Sequence, residues 1–185
     1  MIRVNTLLIC CTVITGLMYK SACASTPEDI FQDAIKYTVE IRTIIDMPFS
    51  DEEEGVFKGT GFVVDAEKGW ILTNAHVAGY SPSHVDVAFK DTEFFEAEKL
   101  YVDPKLDVAV IRADTSNFPN NVISAPLDCS ETPGVGHPVG AFGHPWSLAY
   151  TGTRGIISGT TFFDGNAWLQ TDAPINGGNS GGPLI

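Results

Sequence analysis

The stretch Ile175–Ile185, INGGNSGGPLI, decides the fold of this 185-residue chain, because eight consecutive residues, 176–183, are Gly, Asn, Ser or Pro. Glycine permits backbone angles that other residues avoid, so the amides can turn inward and form a nest for negative charge. The hydroxyl of Ser180 in such a turn can attack a carbonyl while the amides of Gly178 and Ser180 hold the resulting oxyanion. A plain Gly/Ser surface loop is the alternative, but the full GNSGGP string is much more specific than a lone G-x-S-G.

A serine hydroxyl needs a base, and His76 is the best candidate among the four histidines. It lies in WILTNAHVA, where an apolar strand runs into a small turn. His84 begins a strand, whereas His137 and His144 each precede a proline in a glycine-rich loop. A surface or packed histidine is the alternative for each of the four.

Asp107 is the candidate acid that orients the imidazole, because a carboxylate at the mouth of the apolar strand DVAVIRA is costly without a partner. Asp103 and Asp114 are rivals beside a proline or a turn, and Asp107 could also be a simple strand cap. The order His76, Asp107, Ser180 is the chymotrypsin-type order. A lipase or esterase would need its histidine after the serine, where only five residues remain.

The rest of the chain predicts an all-β fold of two lobes. Thr26 and Pro27 begin a short helix over 27–36, after which apolar residues alternate with period two. Six strands are predicted before a linker at 114–121: 37–45, 56–65, 70–73, 84–89, 93–102 and 107–113. About five more are predicted after it: 122–127, 137–143, 147–160, 167–172 and 181–185. We therefore expect a double β-barrel, with the first barrel over about 37–113 and an incomplete second barrel over about 122–185. The charge run DEEE, residues 51–54, is predicted to be a solvated hairpin tip, with a regulatory or ion-binding role as the alternative.

Residues 1–24 are typical of a signal peptide. Arg3 supplies positive charge, an apolar core of about fifteen residues follows, and Ala22-Cys23-Ala24 is an A-x-A site that predicts cleavage between Ala24 and Ser25. An uncleaved anchor is one alternative, although the core is short for a membrane span. A lipoprotein modified at Cys23 is the other. Residues 25–185 would then be the mature domain, with no stable membrane span.

Removal of residues 1–24 leaves 9 basic and 23 acidic residues, a net charge of about −14, and Cys129 as the sole cysteine. A chain so acidic, with no Lys/Arg cluster, is not expected to bind nucleic acid. An intrachain disulfide is impossible, which suits a bacterial periplasm. Neither H-E-x-x-H nor C-x-x-C occurs, so we expect no zinc, and no cofactor is predicted.

Six stretches together resemble the HtrA (Do/Deg) serine proteases of the trypsin-like fold. They run in the family's order from Gly59 to Leu184: GTGFVVD, GWILTNAHV, DPKLDVAVIR, VGAFGHPW, TGTRGIISG and LQTDAPINGGNSGGPL. The resemblance implies an endopeptidase that cuts unfolded or damaged proteins in the cell envelope. It implies that His76 is the general base, Asp107 its orienter and Ser180 the nucleophile. It also implies a homo-oligomer, usually a trimer, and a preference for small aliphatic residues before the cut.

Two features depart from the family pattern. His144 stands where an Asn is expected, a change predicted only to alter a loop. The sequence also ends at Ile185, where the resemblance implies that the protease domain would continue, and its 185 residues include no PDZ domain. We therefore expect either a fragment of a longer protein or a naturally shortened, inactive form that acts at most as a binding or holdase module.

Overall fold

Two antiparallel sheets form the fold, a closed six-stranded barrel followed by a three-stranded sheet. The computed structural model describes residues 26–49, 52–144, 150–163 and 165–185, so the predicted signal peptide and its cleavage site lie outside the described residues. The elements are α1 (Pro27–Ala34), β1 (Thr38–Ile45), β2 (Gly55–Asp65), β3 (Trp70–Thr73), α2 (Ala75–Ala78), β4 (His84–Ala88), β5 (Phe95–Asp103), β6 (Val108–Ala113), a 3-10 turn (Thr115–Asn117), β7 (Pro138–Gly143), β8 (Thr151–Phe163) and β9 (Asn166–Thr171).

The barrel closes in the strand order β1-β2-β3-β6-β5-β4, and all six of its predicted strands are confirmed to within two residues at each end. Period-two alternation points one side of each strand inward, where the buried side chains include Val39, Ile41, Val63, Ile71, Val85, Val87 and Ile111. Gly61 of β2 leaves room for this core. A Cβ there would lie 2.7 Å from Ile41 Cδ1 and 2.9 Å from Ile71 Cγ2.

The second lobe is an open sheet in the order β7-β8-β9, which confirms the prediction of an incomplete second barrel. Strand β8 is long and carries a bulge between Ile157 and Gly159 where it pairs with β9. The predicted strand at 181–185 is not a regular strand. It forms an isolated bridge, Ala141 with Leu184, and pairs with β7 through three backbone hydrogen bonds: Ile185 N to Gly140 O at 2.8 Å, Gly140 N to Ile185 O at 2.5 Å and Phe142 N to Pro183 O at 3.3 Å.

The predicted strand at 122–127 is wrong. This segment is extended but belongs to neither sheet, and its Ala125 amide donates to Val63 O of the first barrel at 2.8 Å. Val122 and Ala125 pack against the first barrel's core. Because Pro126 has no amide hydrogen and lies within the segment, it cannot contribute a full ladder of hydrogen bonds to a sheet.

Helix α1 begins as the sequence predicts. Thr26 and Asp29 form a reciprocal capping box, in which Thr26 Oγ1 accepts from Asp29 N and Asp29 Oδ2 accepts from Thr26 N. The helix packs on the second lobe through Phe31, whose ring lies where the side chains of Gly140 and Gly152 would be, and 5.7 Å from the Phe142 ring. Within the described ranges, no helix combines the length and apolar character needed to cross a membrane.

Replacing Phe31 by Ala should therefore loosen α1 from the second lobe. We expect the free energy of unfolding to fall by about 2 kcal/mol, below the range for a fully buried phenylalanine because this ring is only half-buried. Urea unfolding measures the change. Gln32→Ala, at an exposed position on the same helix, is the matched control and should leave stability within about 0.5 kcal/mol of the parent. Equal stabilities for the two variants would contradict this account of the helix.

Candidate active site

His76 lies on α2, a single helical turn that follows β3 directly. Ala75, Val77 and Ala78 are buried, so α2 exposes only the histidine, whose side chain is 49% exposed. Thr43 of β1 anchors the helical turn to the barrel, because its hydroxyl donates to Val77 O at 2.6 Å. The sequence predicted a strand that runs into a small turn here, and the turn is helical.

Asp107 holds both the backbone and the ring of His76. Its Oδ1 accepts from His76 N at 3.0 Å, and its carboxylate lies 2.8 Å (Oδ2) and 3.0 Å (Oδ1) from His76 Nδ1. The N-cap residue of α2, Asn74, makes no side-chain cap and instead donates its Nδ2 to Asp107 O at 2.8 Å. Asp107 therefore caps α2 from the turn that precedes β6.

These contacts determine the tautomer of His76. An ionised carboxylate can only accept, so the proton of the neutral ring must sit on Nδ1. The lone pair is then on Nε2, the nitrogen that faces away from Asp107. This is the arrangement that a general base requires. The backbone of Asp107 is left-handed, with φ +52°, a conformation that non-glycine residues adopt only where surrounding contacts hold them.

Ser180 lies in a tight loop held by its own backbone. Asn179 N donates to Asn176 O at 3.0 Å, and Gly182 N donates to Asn179 O at 2.9 Å. Gly178 and Gly181 have left-handed φ angles of +101° and +81°, as the glycine pattern of the sequence requires.

Thr60 of β2 joins this loop to the barrel. Its amide donates to Ser180 O at 2.8 Å and its hydroxyl donates to Gly178 O at 2.7 Å. The Thr60 carbonyl accepts from Oγ1 of Thr73, the residue directly before Asn74, at 2.7 Å. A Cβ at Gly181 would overlap both Thr60 O and Thr73 Oγ1, so only glycine fits there. The loop and the start of the His76 turn therefore meet on one strand.

The structure brings the turn that carries His76 and the loop that carries Ser180 to one junction, but the Ser180 hydroxyl and the His76 ring are not hydrogen-bonded there. A Cβ at Gly59 would lie 2.6 Å from Val77 Cγ1 and 3.2 Å from Ser180 O, so the neighbour of His76 and the backbone of Ser180 both contact this glycine. Among the described residues, no hydrogen bond joins the Ser180 hydroxyl to the His76 ring. Hydrogen bonds of this kind are often long in a free enzyme and tighten with substrate.

The rival residues make local contacts elsewhere. Asp103 and Asp114 each accept from nearby backbone amides in a turn. His84 lies 3.1 Å from the Asp86 carboxylate on the barrel surface, and the side chain of His137 is exposed. In the part of the chain that the structure describes, no group of three or more His, Cys, Asp or Glu side chains could hold a metal ion.

A family model described as a trypsin-like peptidase domain matches residues 59–185. The chain belongs to the trypsin-like peptidase family. Curated relatives include serine protease HTRA1A of Danio rerio, 37% identical over 85% of this chain, and periplasmic serine endoprotease DegP of Salmonella typhimurium, 36% identical over 69%. The solved structures include a serine endoprotease from Yersinia pestis, with a TM-score of 0.64, 34% identity and 84% of this chain covered. The HtrA-type protease AlgW with a tripeptide has a TM-score of 0.68 and 28% identity over 84% of this chain.

This trypsin-like peptidase chain spans 33% of HTRA1A, 27% of DegP, and 53% and 50% of the two solved chains. The resemblance to HtrA proteases and the all-β, two-lobed fold are both confirmed by these relatives.

Glu52 shows that the acidic run is not wholly a solvated tip. Its carboxylate accepts from Tyr80 N at 2.8 Å and Ser81 N at 2.6 Å, in the loop directly after α2. Partial burial opposes its ionisation, but hydrogen bonds from Ser81 and Tyr80 outweigh this and lower the pKa of Glu52. Lys99 completes the cluster by donating to the carbonyls of Gly79 and Ser81 at 3.0 and 2.7 Å. Glu53 and Glu54 are exposed as predicted, and residue 51 lies outside the described residues.

His144 does more than alter a loop. It follows β7, is 3% exposed, and lies against the edge of the Tyr150 ring at 4.6 Å between centroids. Its Nδ1 is 3.2 Å from Thr60 Oγ1 and its amide donates to the same oxygen at 3.1 Å. Burial lowers the pKa of His144 to about 4, with smaller opposing effects of Glu40 and Lys58. Local sequence could not reveal this role because the contact spans 84 positions.

Acid should destabilise the protein through His144. Between pH 6.5 and about 4 the unfolded chain binds a proton that the folded chain does not, so the free energy of unfolding decreases as the pH falls through this window. The loss is up to about 3 kcal/mol and is complete below the folded pKa, where both states are protonated. Urea unfolding at several pH values measures it.

His144→Asn should remove this part of the pH dependence because asparagine does not titrate. His137→Asn, at an exposed site whose amide donates to Gly134 O, is the control and should keep the parent's dependence. Identical pH dependences for His144→Asn and the parent would show that His144 does not carry the effect.

Proposed function

We propose that this chain is a serine endopeptidase domain of the HtrA type, formed by residues 25–185 after removal of residues 1–24. His76 is the general base, Asp107 orients it and Ser180 is the nucleophile. The observation that carries the proposal is the Asp107 carboxylate, which accepts from both the ring and the amide of His76 at 2.8 and 3.0 Å. Membership of the trypsin-like peptidase family supports the reaction class.

The reaction begins when Ser180 Oγ attacks the carbonyl carbon of the scissile peptide bond. The hydroxyl proton passes to His76 Nε2, and the carbonyl π electrons move to oxygen. His76 then gives the proton to the leaving amine as the C–N bond breaks, which leaves an acyl group on Ser180. Water repeats the sequence and releases the acid. Asp107 stays ionised throughout and stabilises the imidazolium.

The amides of Gly178 and Ser180 stabilise the oxyanion. Within the described residues neither amide donates to another group of the chain, so both are available. Thr60 binds the carbonyl of each of these residues, which restrains the backbone that carries the two amides. One such donor typically contributes about 3 kcal/mol to transition-state stabilisation.

We infer that the substrates are unfolded or damaged proteins of the cell envelope, where the chain is exported by a signal peptide cleaved between Ala24 and Ser25. The name of DegP, a periplasmic serine endoprotease, supports the location. A homotrimer is expected from the family resemblance. The acidic surface, with a net charge of −12 for the whole chain, disfavours nucleic acid as a partner. No observation favours the alternative of a non-catalytic binding module.

Ser180→Ala should abolish cleavage of casein because no other hydroxyl can take its place in the loop. The full chain should also lose labelling by a fluorophosphonate probe, which reacts with an activated serine. Cleavage is followed by gel and labelling by mass spectrometry. The control is Ser116→Ala, an exposed serine on the first barrel's side, which should cleave and label like the parent. Persistent labelling in Ser180→Ala would rule out the nucleophile assignment.

Asp107→Asn should lower kcat roughly 10⁴-fold, as in the well-characterised triad. The new amide would face His76 Nδ1 with a donor, so the ring would place its proton on Nε2 and lose its basic nitrogen. Steady-state hydrolysis of a peptide substrate measures this. Asp114→Asn removes a carboxylate that caps only the 3-10 turn and serves as the control. Comparable rates for the two variants would exclude Asp107 as the orienting acid.

A further inference from the structure

The buried imidazole of His144 contacts the same Thr60 hydroxyl that donates to Gly178 O in the candidate nucleophile loop. We propose that His144 is a positioning residue, which locks the Thr60 hydroxyl onto Gly178 O and so fixes the geometry of the oxyanion-binding loop. This inference rests on the proposed function and adds to it a residue that touches neither Ser180 nor substrate.

The single proton of the Thr60 hydroxyl determines the direction of each bond. Gly178 O can only accept, so the hydroxyl proton must point to it, across 2.7 Å. The two lone pairs of Thr60 Oγ1 then face His144, whose amide lies at 3.1 Å and whose Nδ1 lies at 3.2 Å. With the hydroxyl proton already committed, Nδ1 must carry a proton and donate. The hydroxyl therefore accepts twice, donates once and has no freedom to rotate.

The imidazole is suited to hold this arrangement. It is 3% exposed, and Nε2 is buried with no hydrogen-bond partner among the described residues. The Tyr150 ring packs edge-on against the imidazole, and the Tyr150 hydroxyl donates to Thr38 O at 3.1 Å. The charged neighbours Glu40 and Lys58 have opposite effects on its ionisation.

Gly178 needs such an external hold. Its φ of +101° is open only to glycine, and a glycine can rotate its carbonyl at little cost. The Gly178 carbonyl belongs to the Gly178–Asn179 peptide group, which lies in the chain between the amides of Gly178 and Ser180. Rotation of this carbonyl would therefore turn the peptide group that connects the two oxyanion donors. The hydroxyl of Thr60 opposes that rotation, and His144 holds the hydroxyl in the required direction.

A matched pair of substitutions at position 144 distinguishes the effect of the hydrogen-bond donor from the effect of side-chain volume. In His144→Asn the side-chain amide nitrogen is as many bonds from Cα as Nδ1 is, so it can donate to Thr60 Oγ1. In His144→Leu the bulk remains without any side-chain donor. Thr60→Ser and Thr60→Val are the corresponding pair at the hydroxyl.

We expect His144→Leu to lower kcat for a small ester or peptide about tenfold, less than the loss of one oxyanion donor, with KM within about threefold of the parent. His144→Asn should restore kcat to within about threefold of the parent. Thr60→Val should lower kcat at least as much as His144→Leu, and the double variant should lose no more than Thr60→Val alone, because both substitutions break the same link. An unchanged kcat in His144→Leu, an equal loss in His144→Asn, or losses that multiply in the double variant would each overturn the proposal.

A readout without turnover distinguishes failure of this inference from failure of the proposed function. ¹⁵N NMR of the His144 ring should show a protonated Nδ1, and the ¹³C′ shift of Gly178 should change in His144→Leu and Thr60→Val but not in His144→Asn. If the parent fails to cleave or label while these spectra behave as stated, the proposed function fails and the positioning contact stands. If the parent is active and the ¹³C′ shift of Gly178 is unchanged in His144→Leu, the positioning role is refuted.

Discussion

The hydrogen bonds of Thr60 are the constraint on which the site depends. One residue of β2 uses its amide for Ser180 O, its carbonyl for Thr73 and its hydroxyl for Gly178 O. Each such bond contributes only about 1 kcal/mol, but Thr60 is completely buried, and an unpaired polar group there would cost more than the bond provides. The two lobes contribute different candidate residues, and Thr60 fixes their relative placement through its backbone amide and carbonyl together with its hydroxyl.

The closed barrel explains why the His76 side of the site is rigid. Strands β3 and β6 are paired from Trp70↔Arg112 to Thr73↔Ala109, so the turns that follow β3 and precede β6 begin from neighbouring positions. A barrel has no free edges, and its interior side chains interlock around Ile41, Ile71 and Ile111. A shift of either strand would disturb this packing. The carboxylate and the imidazole are therefore held at hydrogen-bonding distance by the register of two strands.

Most of the fold could be predicted from the sequence because short apolar runs, some with a period of two as in β1, are bounded by turn residues. The prediction failed where local pattern and tertiary contact disagree. Residues 122–127 are apolar enough for a strand, but their partners lie on the first barrel, and one proline interrupts the ladder. The GNSGGP string and the order of His76, Asp107 and Ser180 indicated the candidate site. The contacts of Glu52 with Tyr80, of His144 with Thr60 and of Thr60 with Gly178 were missed because they span 28 or more positions, a distance over which neither periodicity nor composition carries information.

The left-handed backbone of Asp107 illustrates how the site holds a strained residue. Such a conformation costs of order 1 kcal/mol or more for a non-glycine residue, and a local turn alone would relax it. Here the residue is held at both ends, since Asn74 Nδ2 binds its carbonyl and the His76 amide binds its carboxylate. Hydrogen bonds to a charged group contribute about 1.5–3 kcal/mol each, enough to offset the strain. The same amide bond caps the first turn of α2, whose own N-cap side chain points elsewhere. Helix stability, backbone strain and ring orientation are thus coupled through one carboxylate, so the geometry of His76 cannot relax without uncapping its own helix.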